Sequence, residues 1–340
     1  MVRWLLALSI SLAALSEPSP ATLHLYEAVE PHMGTLVRIT VYTPDEQTAA
    51  AAFRAAFNRI RDLDAVLSDY RAASELNQIS KSAVKRPVPV SDDLFAVLCA
   101  SQELAHATGG AFDITQGPVV QLWREARKTA LLPDPAALTD AANRSGFRKL
   151  HLDKEHRTVM LDTPGMALDV GAIGKGYAAS EVIKVLDALG VRSALVAMSG
   201  DLAFSDAPPN QRGWRIAVRS ADLPVEGVPH VLELTRAAVS TAGSSEQHVD
   251  IGGRRYSHII NPASGTALIE DITVTVIARH GLDADGLDTA VSVLGAERGL
   301  ALIESTPGAA ALIVSRSPTG TTVRQSSRFL KLSAQHESSR

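Results

Sequence analysis

The stretch Asp169–Ser180, DVGAIGKGYAAS, sets three glycines and a lysine between a short apolar run (Met166, Ala167, Leu168) and a helical pattern. Its reading separates two fold classes. Glycines before a helix suit the approach of an anionic ligand, because glycine has no Cβ and helix N-termini favour negative charge. A Walker loop needs glycine, four residues, then Gly-Lys-Ser/Thr. Here Gly176 follows Lys175, and Asp169 stands where the first glycine belongs, so that motif fails twice. The dinucleotide fingerprint G-x-G-x-x-G/A is matched by Gly174, Gly176 and Ala179. The next apolar segment, Ser193–Met198, ends without the acidic residue of a ribose site; Asp201 comes only after Ser199 and Gly200. The lone fingerprint is weak support for a doubly wound sheet.

The surroundings point to a different class. Strand-like alternation occurs in HLYEAV (His24–Val29) and TLVRITVY (Thr35–Tyr42). Thr43-Pro44-Asp45-Glu46 reads as a capping box opening a long helix whose apolar face runs through Phe53, Phe57, Ile60 and Leu63. A second helix is expected from about Ser91 to the stop at Gly109-Gly110. A third should begin near Pro118, and a fourth should span Gly176–Leu189. The second half is strand-rich: SALVAM, WRIAVRS, HVLELT, ITVTVIAR and AALIVS, with a short helix after Asp285 ending at Gly295. Helices early and strands late favour α+β, with mainly antiparallel sheets flanked by helices. No linker interrupts residues 17–325, and the polar stretch 326–340 reads as a fraying tail.

The chain has 340 residues, 46% hydrophobic and 21% charged, with a formal net charge of −4, which gives no electrostatic footprint for nucleic acid. The N-terminus differs in kind. Arg3 is followed by the uncharged run Trp4–Leu15 and by small residues before Glu17. That run is too short for a bilayer, which needs about 20 residues, and it matches a secretory signal over residues 1–16. A buried N-terminal helix is the alternative. The expectation is export to the periplasm, with the signal cleaved or kept as an anchor. Cys99, the only cysteine, excludes an internal disulfide and a thiolate zinc site.

Three further segments could carry chemistry. In GLDADGLDTAVSVLG, Asp285 and Thr289 stand one helical turn apart and could ligate a hard cation together with substrate phosphates. Equally, Asp285 could simply favour a helix N-terminus. HATGGAFDITQGPVVQLW offers Asp113 and Thr115 beside an apolar turn, either a ring pocket or a plain connection between helices. RRYSHIINPASG contains His258, structural or acid–base.

In order, seven segments resemble the ApbE family, the FAD:protein FMN transferases: Met33–Thr35, Leu67–Ile79, Thr108–Val120, Leu168–Ser180, Ser199–Leu202, Ser257–Gly265 and Ala284–Gly295. The resemblance implies FAD as substrate, Mg2+ as cofactor, and transfer of FMN to a threonine of a partner flavoprotein with release of AMP. The partner would be flavodoxin-like or a subunit of a membrane redox pump, the only contact with a membrane. It also implies that Met33, Tyr70, Ala111, Phe112, Asp113, Asp169, Lys175 and Ile259 touch the flavin nucleotide. The Ala172 carbonyl, Asp285 and Thr289 would hold the metal, and His258 would assist the acceptor hydroxyl. Asp113 and Asp169 would grip ribityl or ribose hydroxyls. An FAD carrier, or a pyrophosphatase giving FMN and AMP, is the alternative. Four positions depart from the family pattern: Ser180, Ser199, Asn261 and Asp288.

Overall fold

The computed structural model describes residues 22–218, 231–243 and 248–337; the segment 1–16 read above as a secretory signal lies outside them. Eight strands form the central sheet: β1 (His24–His32), β2 (Thr35–Thr43), β3 (Ser193–Met198), β4 (Asp201–Phe204), β5 (Ala237–Gly243), β6 (Asp271–Ala278), β7 (Ala310–Ser317) and β8 (Gly320–Gln325). Their order in space is their order in the chain, and every neighbouring pair is antiparallel. The sheet is a meander interrupted by helical insertions, which answers the choice posed by the glycine-rich stretch.

In β2 the two-residue period is visible: Val37, Ile39 and Val41 are fully buried, whereas Leu36 and Arg38 face outward. Helix α1 (Glu46–Leu67) lays Ala49, Ala52, Ala56, Phe57, Ile60, Leu63 and Leu67 on this face at helical spacing. Its cap is Asp45, which accepts from the Thr48 amide at 2.7 Å. Thr43 ends β2 instead of capping, because its hydroxyl donates to the Asp45 carbonyl.

Helices α2 (Glu75–Ser82) and α3 (Asp92–Ala107) follow, α3 capped by Ser91 and stopped by left-handed Gly109 and Gly110. Then come α4 (Gly117–Thr129), α5 (Pro135–Arg144) and α6 (Gly174–Ala188). Helix α7 spans Gly281–Ser305 and starts before Asp285, earlier than expected. Gly295 (φ 77°, ψ 172°) is non-helical, so the span is two helices meeting at a kink, and the first stops at Gly295 as expected.

The opposite sheet face is covered by the hairpin Trp214–Ala217/Val231–Leu234 and by α8 (Ser327–Glu337). Over Ser327–Glu337 the expected fraying is thus corrected. Phe329 is fully buried, and Arg328 donates to the Ile303 and Ala309 carbonyls at 3.1 and 2.8 Å. A few well-placed residues anchor a segment whose average polarity suggested none. Among the described residues, no helix is long and apolar enough to cross a membrane.

Candidate active site

The start of α6 lies directly against the start of α7. A Cβ on Gly176 would come 2.1 Å from the Gly281 carbonyl oxygen, and one on Gly281 equally close to that of Gly176. The Gly176 amide donates to Asp285 Oδ2 at 2.9 Å. Gly176 therefore serves helix–helix contact, while Gly171 and Gly174 face a cavity. The expectation that all three glycines admit a phosphate is corrected accordingly.

That cavity, about 420 Å³, lies in the size range of small-molecule sites. At one end Lys175, Asp285, Asp288 and Thr289 from α6 and α7 meet Asp201 at the start of β4. Lys175 Nζ lies 2.7 Å from Asp201 and 3.7 Å from Asp285. Ser240 on β5 donates its single hydroxyl proton in a group with two carboxylates, 2.5 Å from Asp201 and 2.6 Å from Asp288. Burial, reinforced by Asp201, pushes the Asp285 carboxyl up to about 7. Burial and both neighbouring acids raise Asp288 well above the carboxylate range. Burial alone would lower Lys175, but Asp285 and Asp201 outweigh it and raise it.

Among the described residues, no group of three His, Cys, Asp or Glu has the arrangement of a metal centre. The set that the resemblance implied is different: the Asp285 carboxylate, the Thr289 hydroxyl and the Ala172 carbonyl, from three residues that all line the cavity. These are hard oxygen donors, the type magnesium takes. Three buried carboxyl groups surround one ammonium here, and Asp285 and Asp288 hold their protons more tightly for it; a divalent cation would supply the positive charge that those protons now supply. The residues present fit such an ion.

The middle wall comes from the Ala111–Gln116 turn. Phe112 and Thr115 are both buried. The Asp113 carboxylate is occupied internally, accepting from the Thr115 amide and hydroxyl, Gln116 Nε2 and the Phe147 amide. It shapes the turn, and these four donors compete with any sugar hydroxyl. Asp169 is likewise engaged, accepting from the Gly171 amide and from Arg124 at 2.8 Å. Burial and Asp69 raise its carboxyl, against the pull of Arg124.

His258 and Ile259 form the facing wall. Backbone bonds from Ser257 to the Leu268 carbonyl (2.7 Å) and from Leu268 to the Ile259 carbonyl (2.9 Å) flank His258 on both sides. Asn261 accepts from the Ala263 amide at 3.0 Å, so its side chain closes its own turn. Met33 enters from the β1–β2 turn, where it takes φ 48° beside Gly34. Tyr70 stands exposed at the mouth.

Sequence reasoning missed Asp201 as a partner of Lys175, and Arg124 altogether. Asp201 was visible only as a misplaced ribose acid. Arg124 follows Trp123 on α4 and gave no motif.

The fold has known counterparts. The profile of the ApbE family matches residues 33–313. The FAD:protein FMN transferase of Treponema pallidum (strain Nichols) is 34% identical over 304 residues, covering 85% of this chain and 84% of that protein. The enzyme of the same name from Klebsiella pneumoniae (strain 342) is 30% identical, covering 83% and 82%. Among solved structures, the apo flavinyl transferase ApbE of Pseudomonas stutzeri superposes with a TM-score of 0.81 at 29% identity, covering 93% of this chain and 98% of that one. The flavin transferase ApbE of Vibrio cholerae gives 0.80 at 27%, covering 91% and 99%. With its meander, its glycine-rich helix junction and a match over most of its length, the chain belongs to the ApbE family.

Proposed function

We propose that this protein is a magnesium-dependent FAD:protein FMN transferase that esterifies a threonine hydroxyl of an exported flavoprotein and releases AMP. The observation that carries the reading is the convergence of Lys175, Asp201, Asp285 and Thr289 with His258 around one cavity, in a chain whose relatives bear that name.

The chemistry follows from the residues. Asp285, Thr289 and the Ala172 carbonyl would hold Mg2+, which when bound neutralises charge on the pyrophosphate. Lys175, kept protonated by its two acids, adds a fixed cation at the same end. Such preorganised charge favours the oxygens that become more negative as the bond breaks. The threonine Oγ–P bond forms at the FMN phosphorus, the bridging P–O bond breaks, and AMP leaves with that oxygen. His258 takes the hydroxyl proton, a contribution of roughly two to four powers of ten. The walls at Phe112, Ile259 and Met33 exclude water from the ring system. The N-terminal pattern adds export to this reading, and with it a partner that is flavodoxin-like or part of a membrane redox pump.

The test is stoichiometric coupling. AMP release from FAD should require the acceptor protein, and replacing the acceptor's threonine by valine should abolish it. AMP formed at the same rate without acceptor would convict the protein as a pyrophosphatase instead. FAD bound but intact under both conditions would leave only a carrier.

A further inference from the structure

Arg124 joins three segments at the cavity mouth. On one side its guanidinium pairs with Asp69 in the α1–α2 connection. On the other it donates to Asp169 Oδ2 at 2.8 Å in the glycine-rich loop. Its Cζ lies 4.4 Å from the centroid of the Tyr70 ring. The side chain of Arg124 is only 23% exposed, whereas Tyr70 is 72% exposed. The ring is therefore covered on its guanidinium side and open on the other.

The backbone around Tyr70 is tied independently. Asn77 Nδ2 donates to the Asp69 and Arg71 carbonyls at 2.8 and 2.9 Å, and Arg71 pairs with Asp64 at 2.8 Å. With the loop fixed, the ring's orientation is set by the plate it rests on. A guanidinium gripped by two carboxylates is a rigid plate, and its π-face attraction to an aromatic ring is geometry-specific.

We propose that Arg124 is a positioning residue: clasped by Asp69 and Asp169, it holds the Tyr70 ring as a preformed stacking platform for an aromatic ring of the flavin dinucleotide. This rests on FAD being the substrate, as read above. The role belongs to binding, because Arg124 contacts Tyr70 and its two acids and not the Lys175–Asp201 pair. Preorganising a binding surface shows as affinity. Lysine cannot replace it, since an ammonium neither forks to two carboxylates nor lies flat beneath a ring.

The experiment titrates FAD into the full-length protein by flavin fluorescence. It uses the wild type, Arg124→Lys, Asp69→Asn, Tyr70→Ala and the Arg124→Lys/Tyr70→Ala double variant, with a thermal melt for each. Arg124→Lys should weaken FAD about five- to tenfold with melting little changed, and Asp69→Asn somewhat less. In the Tyr70→Ala background, Arg124→Lys should add less than about twofold, because a residue acting through another loses its effect when that other is gone. With acceptor present, KM for FAD should rise while kcat holds. Unchanged affinity in Arg124→Lys, or an equal loss with and without Tyr70, overturns the clasp. Should Arg124→Lys fail to fold, Asp69→Asn decides alone, and wild-type affinity there overturns it. A wild-type protein that binds no FAD contradicts the substrate assignment itself, and the clasp with it.

Discussion

The Gly176 amide donates to Asp285 Oδ2 at 2.9 Å, across a contact where the α6 and α7 backbones touch. One residue thus fixes both the helix crossing and the carboxylate offered to the cavity. A Gly176→Ala methyl would lie 2.1 Å from the Gly281 oxygen and 2.8 Å from Asp285 Cβ, so the helices must separate. Expected is a loss of about 3 kcal/mol in denaturant unfolding and no FMN transfer. At Gly174 the nearest atom to a new methyl is Val170 Cγ2 at 3.6 Å, and Gly174→Ala should leave unfolding unchanged or slightly improved.

Ser199 and Gly200 close the turn between β3 and β4, Ser199 at φ 61° in the left-handed region. That backbone suits glycine better than serine. Ser199→Gly should stabilise the fold by about 0.5–1 kcal/mol, the relieved strain exceeding the entropy glycine adds to the unfolded chain. Gly200→Ala should do the reverse, since its methyl would sit 2.7 Å from the Thr241 carbonyl. Thermal melts of the two variants should move in opposite directions.

The raised carboxyl of Asp285 predicts a pH dependence with a definite sign. Its folded value, about 7, lies above that of the unfolded chain, so the folded state binds the extra proton. Stability from this group is present at lower pH and is lost as pH rises through about 7. With a chelator present, the melting temperature should fall between roughly pH 5.5 and 8, and added Mg2+ should restore more at the higher pH, where the cation meets no competing proton. A flat profile, or equal rescue at both values, contradicts the cluster's assignment.

Helix α8 yields a packing test. Phe329 is completely buried against the hairpin face of the sheet. Phe329→Ala should cost about 3–4 kcal/mol in unfolding free energy while the FAD affinity of the folded protein stays unchanged. An unaltered melt would return the segment to the fraying tail its composition suggested.

How far the sequence could be read follows from the range of each interaction. Alternation in Thr35–Tyr42 and the glycine stop after α3 are local, and the structure places a strand and a helix end there. The residues drawn from the family resemblance, from Met33 through Thr289, line one cavity although they are distant in the chain. What stayed hidden was long-range. Lys175 and Asp201 pair because β4 starts beneath α6, and Arg124 reaches Asp69 across 55 residues. Neither spacing repeats any motif. Gly176 deceived for the same reason: a glycine that lets two helices touch looks like one that admits a phosphate until its neighbour is known. Asp113 likewise carried the right residue type for a sugar contact, yet its oxygens hold the Phe147 and Thr115 amides.

The most direct measurement is the intact mass of an acceptor. Exported and membrane proteins from a strain lacking this gene would be incubated with the purified protein, FAD and Mg2+, then resolved and mapped by mass spectrometry. The account predicts one FMN moiety on a threonine of the acceptor and an equal amount of AMP, both abolished by Asp285→Ala. Acceptors that gain no mass while FAD is consumed to free FMN, or an Asp285→Ala variant that labels as well as the wild type, would contradict it.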